Sequence, residues 1–169
     1  MFLLKKIFAS FILIVLVAFL SGCSYSEKIP QVTAKIDGNA VIEYGNTEYK
    51  CNMARLADGV SFVKILSPEN IAGFEFREAD GKFSVSYGEL VCKTESVILP
   101  ENSFPVSVLN ILSAVSADGN LLYCSSENEN YKFTGNSDTG MFEVFTDKDG
   151  NITGIFQEST DLKITFQKT

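Results

Sequence analysis

From Val32 onward, apolar and polar residues alternate with a period of two. Tyr49, Cys51 and Met53 alternate with Lys50 and Asn52, and Phe74 and Phe76 alternate with Glu75 and Arg77. Phe83, Val85 and Tyr87 alternate with Ser84 and Ser86, and Leu162, Ile164 and Phe166 alternate with Lys163, Thr165 and Gln167. Successive side chains of a strand point to opposite faces, so each run predicts a strand with one wet and one apolar face. Turn residues punctuate the runs at Asp37-Gly38-Asn39, Tyr44-Gly45-Asn46, Asp58-Gly59, Asp80-Gly81, Gly135-Asn136 and Asp147-Lys148-Asp149-Gly150-Asn151. Short connections of this kind join neighbouring strands antiparallel, which predicts an up-and-down sheet of about ten strands. Strand twist accumulates across so many strands, so the sheet must curl or close.

One segment breaks the period. After Pro100-Glu101-Asn102-Ser103, residues Phe104 to Ala117 contain no turn signal until Asp118-Gly119-Asn120. Asn102 or Ser103 can cap a helix with Pro105 in its first turn, and Gly119 can end it. Phe104, Val108, Ile111, Leu112 and Val115 then fall within an arc of about 100°, the width of a core-facing stripe. Val106 and Leu109 lie on the opposite side. The fold expected is mainly β (α+β): a curved antiparallel half-barrel of about ten strands with one main helix on its concave face.

A sheet of that width encloses more room than its own side chains fill, so the helix, a ligand or both must occupy it. Fourteen Phe and six Tyr, with no Trp, are a large aromatic share, and several lie on the same apolar strand faces. The candidate ligand-binding residues are therefore Phe74, Phe76, Phe83, Val85 and Tyr87 from the strands, with Phe104, Val108, Leu112 and Val115 from the helix. Each of them taken singly is also what an ordinary packed core requires.

The N-terminus has a different pattern. Met1-Phe2-Leu3-Leu4-Lys5-Lys6 is a short basic start, and Ile7 to Leu20 is an apolar run interrupted only by Ser10. This is the layout of a secretory signal, and a run of about 14 residues is short of the roughly 20 that a membrane-crossing helix needs. It closes with Leu20-Ser21-Gly22-Cys23, which resembles the lipobox of bacterial lipoprotein precursors, where the cysteine thiol accepts a diacylglyceryl group. The expectation is a signal peptide over residues 1–22, lipidation at Cys23, a polar tether over 23–31 and a single domain over 32–169. The partner at Cys23 is membrane lipid, and the location is the extracytoplasmic face of a cell membrane. Two or three acyl chains anchor stably, whereas one binds only marginally.

Removing residues 1–22 takes two of the 14 basic residues and none of the 21 acidic ones, which leaves a net charge of −9. Such a surface repels phosphate backbones and argues against nucleic-acid binding. Histidine is absent, which removes Ser-His-Asp and Cys-His catalysis and the commonest neutral metal ligand. No phosphate-binding loop or dinucleotide motif is present. Asp147 to Asn151 has the oxygen-rich start of a calcium loop, but its glycine is displaced from the required position, and Asp-Gly reads as a hairpin turn. No cofactor and no metal are expected, and the domain is read as non-catalytic. Cys51, Cys92 and Cys124 are spaced too widely for a CxxC site and sit among apolar neighbours, so buried inert thiols are expected.

With strands, helix and lipobox in place, the central segment can be compared with a family. Ser67-Pro68-Glu69-Asn70-Ile71-Ala72-Gly73-Phe74-Glu75-Phe76, then Asp80-Gly81, then Val85-Ser86-Tyr87-Gly88-Glu89-Leu90, resembles a pattern of small lipoproteins similar to the LolA/LolB lipoprotein carriers. Asp149-Gly150-Asn151-Ile152 and Leu162-Lys163-Ile164-Thr165-Phe166 are similar to the end of that domain, so the resemblance spans about residues 32–167. It implies an unclosed, strongly curved sheet whose concave side, lined by strand aromatics and covered by Phe104 to Val115, holds acyl chains. The chain departs from the carriers in two respects. Ser24 to Lys35 is too short and polar for the N-terminal helix of a carrier, and a tethered chain does not shuttle between membranes. Arg55, near an apolar strand end, is assigned to the surface. The function expected is a membrane-anchored lipoprotein that holds an acyl chain or another apolar ligand; the alternative is an envelope protein–protein interaction module with a filled core.

Overall fold

The alternating runs form eleven strands: β1 (Ile36–Tyr44), β2 (Thr47–Arg55), β3 (Ser61–Ser67), β4 (Phe74–Ala79), β5 (Lys82–Tyr87), β6 (Leu90–Lys93), β7 (Leu122–Glu127), β8 (Asn130–Ser137), β9 (Gly140–Thr146), β10 (Ile152–Gln157) and β11 (Leu162–Phe166). They come from a computed structural model that describes residues 29–33, 36–56, 59–93, 100, 103–116, 119–128 and 130–167. The strands make one sheet of order β6-β5-β4-β3-β2-β1-β11-β10-β9-β8-β7, and the paired neighbours are antiparallel. The sheet does not close, so β6 and β7 are its edges among the described residues. The one α-helix described is α1 (Phe104–Val115).

The inward faces build the core. Ile36, Ala40 and Ile42 of β1, Cys51 and Met53 of β2, Val63 and Ile65 of β3, Val144 of β9 and Ile164 of β11 are all buried, together with Val108, Ile111 and Leu112 of α1. Each fully buried aliphatic side chain contributes about 1.5–3 kcal/mol relative to exposure. Val106 and Leu109, on the far side of the predicted stripe, are buried as well, so α1 is enclosed on nearly all sides rather than resting on a surface. Ser103 occupies the N-cap position without a side-chain cap bond, Pro105 lies in the first turn as expected, and the helix ends at Val115.

Strong twist wraps the sheet around α1. The helix packs against both β3 and β8, which are six strand interfaces apart. Antiparallel alternation makes two strands six steps apart run in the same sense within the sheet. Yet the C-terminal half of α1 meets the beginning of β3, where Arg55 Nη1 donates to both Ser61 Oγ (2.9 Å) and Ser113 Oγ (3.4 Å). The same half meets the end of β8, where Asn120 Nδ2 bridges the carbonyls of Ala114 (2.8 Å) and Asn136 (3.1 Å). Only a sheet that has turned by roughly half a revolution can do this, and six steps of about 25° supply about 150°.

Two expected turns lie inside strands. Asp37-Gly38-Asn39 belongs to β1, and Gly135-Asn136 belongs to β8. Gly135 is there for space: an added Cβ would lie 2.5 Å from Phe142 Cζ and 2.9 Å from Leu121, so its absence seats the Phe142 ring in the core. Asp58 of the expected Asp58-Gly59 turn lies outside the described residues, and the remaining turns form as read. Asp80 and Gly81, both with positive φ (52° and 73°), make the two-residue connection of β4 and β5. Asp147 to Asn151 joins β9 to β10, with Asp147 Oδ1 accepting from the amides of Asp149 (3.0 Å) and Asn151 (2.9 Å). The N-terminal segment is tied to that turn: Thr33 N–H donates to the Gly150 carbonyl at 2.9 Å, and a Cβ on Gly150 would collide with the carbonyl oxygen of Gln31.

Candidate functional site

Register defines an apolar surface that continues past the helix. Val63 of β3, which is buried, pairs with Phe76 of β4; Phe76 pairs with Val85 of β5, and Val85 with Cys92 of β6. Phe74, Tyr87 and Leu90 form a parallel row, and Phe83 opposes Glu78. Cross-strand partners share a face, so Phe74, Phe76, Phe83, Val85, Tyr87, Leu90 and Cys92 all lie on the concave side. The Phe74 ring lies 4.9 Å from that of Tyr87 and 6.5 Å from that of Phe76. Phe74, Phe76, Phe83 and Val85 are half-buried, whereas Tyr87 is 51% and Leu90 75% exposed.

The nine residues singled out in the sequence therefore fall into two groups. The five from β4 and β5 form this wall. The four from α1 lie in the packed trough formed by the rest of the sheet: Val108 and Leu112 are fully buried, Val115 nearly so, and Phe104 stacks on Tyr49 with centroids 4.4 Å apart and planes at 8°.

Between wall and trough lies a polar contact that corrects the assignment of Arg55 to the surface. Its side chain is 18% exposed and pairs with Glu78, 12% exposed, at 3.5 Å. Arg55 Nη1 also donates to the Gly59 carbonyl, while Ser113 Oγ of α1 donates to Glu78 Oε2 at 3.0 Å. The alternation already held the signal. Arg55 is the next inward position after Tyr49, Cys51 and Met53, and Glu78 the next after Phe74 and Phe76. A charge at such a position must find a partner, and here each is the other's.

A second, polar feature lies on the outer side of α1. Asn110, Ser113 and Ala114 face Asn136 and Ser137 at the end of β8, and Asp138 of the β8–β9 connection, across a cleft of about 360 Å³. The thiols also depart from expectation. Cys51 is buried, and burial pushes its pKa up to about 12, but Cys92 and Cys124 are exposed because they sit on the two edge strands. Among the described residues no group of three or more His, Cys, Asp or Glu is placed to hold a metal, and no helix is long and apolar enough to cross a membrane. Cys23, the signal segment and most of the tether lie outside the described residues.

No protein-family model and no curated protein matches the chain. Solved structures similar to it include two with most of each chain covered. An uncharacterized conserved protein from Thermus thermophilus is 10% identical, with 79% of this chain and 80% of that one covered and a TM-score of 0.42. The LolA superfamily protein NE2245 from Nitrosomonas europaea is also 10% identical, with 85% and 73% covered and a TM-score of 0.40. The half-barrel itself follows from the strand register.

Proposed function

We propose that this chain is a lipid-anchored, non-catalytic protein of the extracytoplasmic membrane face whose half-barrel holds an acyl chain or another apolar ligand. The observation that carries the reading is the concave wall of β4–β6, where Phe74, Phe76, Phe83, Val85 and Tyr87 extend the core surface beyond what α1 covers. Aromatic and aliphatic side chains left half-exposed on a concave surface suit a flexible apolar ligand, which gains from desolvation without needing directed polar contacts. The α1 stripe of Phe104, Val108, Leu112 and Val115 borders that surface.

Binding is tested by titrating the protein with N-phenyl-1-naphthylamine, an uncharged probe that fluoresces in apolar surroundings. Saturable enhancement that Phe76→Ser or Tyr87→Ser weakens supports the reading; no enhancement sinks it. Anchoring through Cys23 is tested separately by Cys23→Ser, which should move the protein out of the detergent phase.

A second reading, an envelope interaction module with a filled core, is favoured by a different observation. Leu122 and Met141 are exposed on the convex face of β7–β9, opposite the packed trough. In that case Leu122→Lys with Met141→Lys should abolish capture of a partner while leaving probe binding unchanged.

A further inference from the structure

We propose that the polar cleft beside the C-terminal half of α1 receives the head group of the bound amphiphile, and that it selects an uncharged, hydroxyl-rich head over an anionic one. This rests on the apolar-ligand reading and specifies the substrate class.

The cleft and the wall meet at Ser113. Phe83 opposes Glu78 across β4 and β5, Glu78 Oε2 accepts from Ser113 Oγ at 3.0 Å, and Ser113 lines the cleft with Asn110 and Asp138. From Phe74 to Glu78 the wall spans four residue steps of about 3.3 Å, or about 13 Å, enough to lay out a medium alkyl chain with one end at Ser113.

The hydrogen-bonding inventory decides the kind of head. Asn110 and Asp138 line the cleft, and neither side chain is engaged by another described residue; Asn136 reaches it only through its backbone, since it pairs with Met141 on the convex face. An amide and a carboxylate offer donors and acceptors together, which matches hydroxyl groups, since each hydroxyl both gives and accepts. Two buried hydroxyls without partners, Ser103 Oγ and Ser107 Oγ, lie on the same flank of α1, where they continue at helical spacing the line of Asn110 and Ala114.

Electrostatics argue against an anion. Glu78 and Asp138 place carboxylates at the inner and outer sides of the cleft, and the C-terminal end of a helix carries partial negative charge. The nearest cation, Arg55, is already occupied by Glu78, Ser61 and the Gly59 carbonyl. A phosphate or carboxylate would meet repulsion, with no free basic group among the described residues lining the cleft to offset it.

The experiment displaces N-phenyl-1-naphthylamine from the full chain with three amphiphiles of one alkyl length, below their micellar concentrations: monolaurin, laurate and dodecyltrimethylammonium. Monolaurin should displace the probe at a concentration at least about tenfold lower than laurate does. Asn110→Ala should remove most of that advantage, and Asp138→Lys should tighten laurate and weaken monolaurin, so that the ratio between the two falls by at least about tenfold. Asn110 is half-buried and Asp138 exposed, so neither change touches the core. Equal displacement by all three, laurate or the ammonium compound binding tighter than monolaurin, or no effect of either substitution overturns the inference while leaving the apolar-ligand reading intact. Absence of any probe binding takes down both.

Discussion

Val63 and Phe76 are direct cross-strand partners on one face of one sheet, yet the first is fully buried and the second is half-exposed. The boundary between the two regions of the concave side runs between them. From β3 through β8 the sheet coils around α1 and packs into a closed core; from β4 to β6 the same strand chemistry continues with less to cover it. The sequence pattern is alike on both sides, since period-two alternation reports which face is apolar and not whether that face finds a cover. The difference teaches that the enclosed part supplies stability and the open part is free to supply binding.

The comparison breaks most sharply at Leu112. Truncation to Ala in the closed trough should cost about 2–5 kcal/mol, read as a lowered urea midpoint. A cost below about 1 kcal/mol would mean that the trough is no better packed than the wall. The boundary itself is probed by Arg55→Ala, which strips Glu78 and Ser113 of their shared donor. Loss of a charged hydrogen bond at so sheltered a site should cost about 1.5–3 kcal/mol, and a double-mutant cycle with Glu78→Ala should recover much of it as coupling.

Cys51 sharpens the picture of the trough through pH. Its thiol is raised from an ordinary 9.0 to about 12 by burial, so above pH 9 the unfolded chain releases a proton that the folded chain keeps. The stabilisation this gives is whole below pH 9 and falls by about 1.4 kcal/mol per pH unit as pH rises toward 12. Cys51→Ala should remove that part of the slope, measured as the difference between the two proteins' denaturation curves. The smallest stability effect belongs to the wall. Tyr87→Ser should change the unfolding free energy by about 0.5 kcal/mol or less while weakening probe binding, which is the reverse of what Leu112→Ala does to stability.

Alternation, turn dipeptides and the helical break at Phe104 made the half-barrel and its helix legible in the sequence, because those signals are local. The errors came where an identity served a distant neighbour. Gly38 and Gly135 read as turns, but both lie within strands, and Gly135 answers to the ring of Phe142, a constraint invisible until β8 and β9 are paired. Arg55, Glu78 and Ser113 come from three elements spread along the chain, so their contact could not be seen in any window of sequence, although the parity of Arg55 and Glu78 pointed inward. The cleft lined by Asn110 and Asp138 likewise depends on where a helix crosses the end of a strand, and neither residue has a sequence signature.

The knot at Gly150 sets a leash. Since the segment is already fastened where Gln31 crosses the β9–β10 turn, the lipid-anchor reading puts at most eight residue steps between Cys23 and that point. Fully extended, they reach about 26–29 Å. The domain would therefore stay within about that reach of the bilayer, and Gly150→Ala, by casting off the mooring, would let it drift several residues farther out.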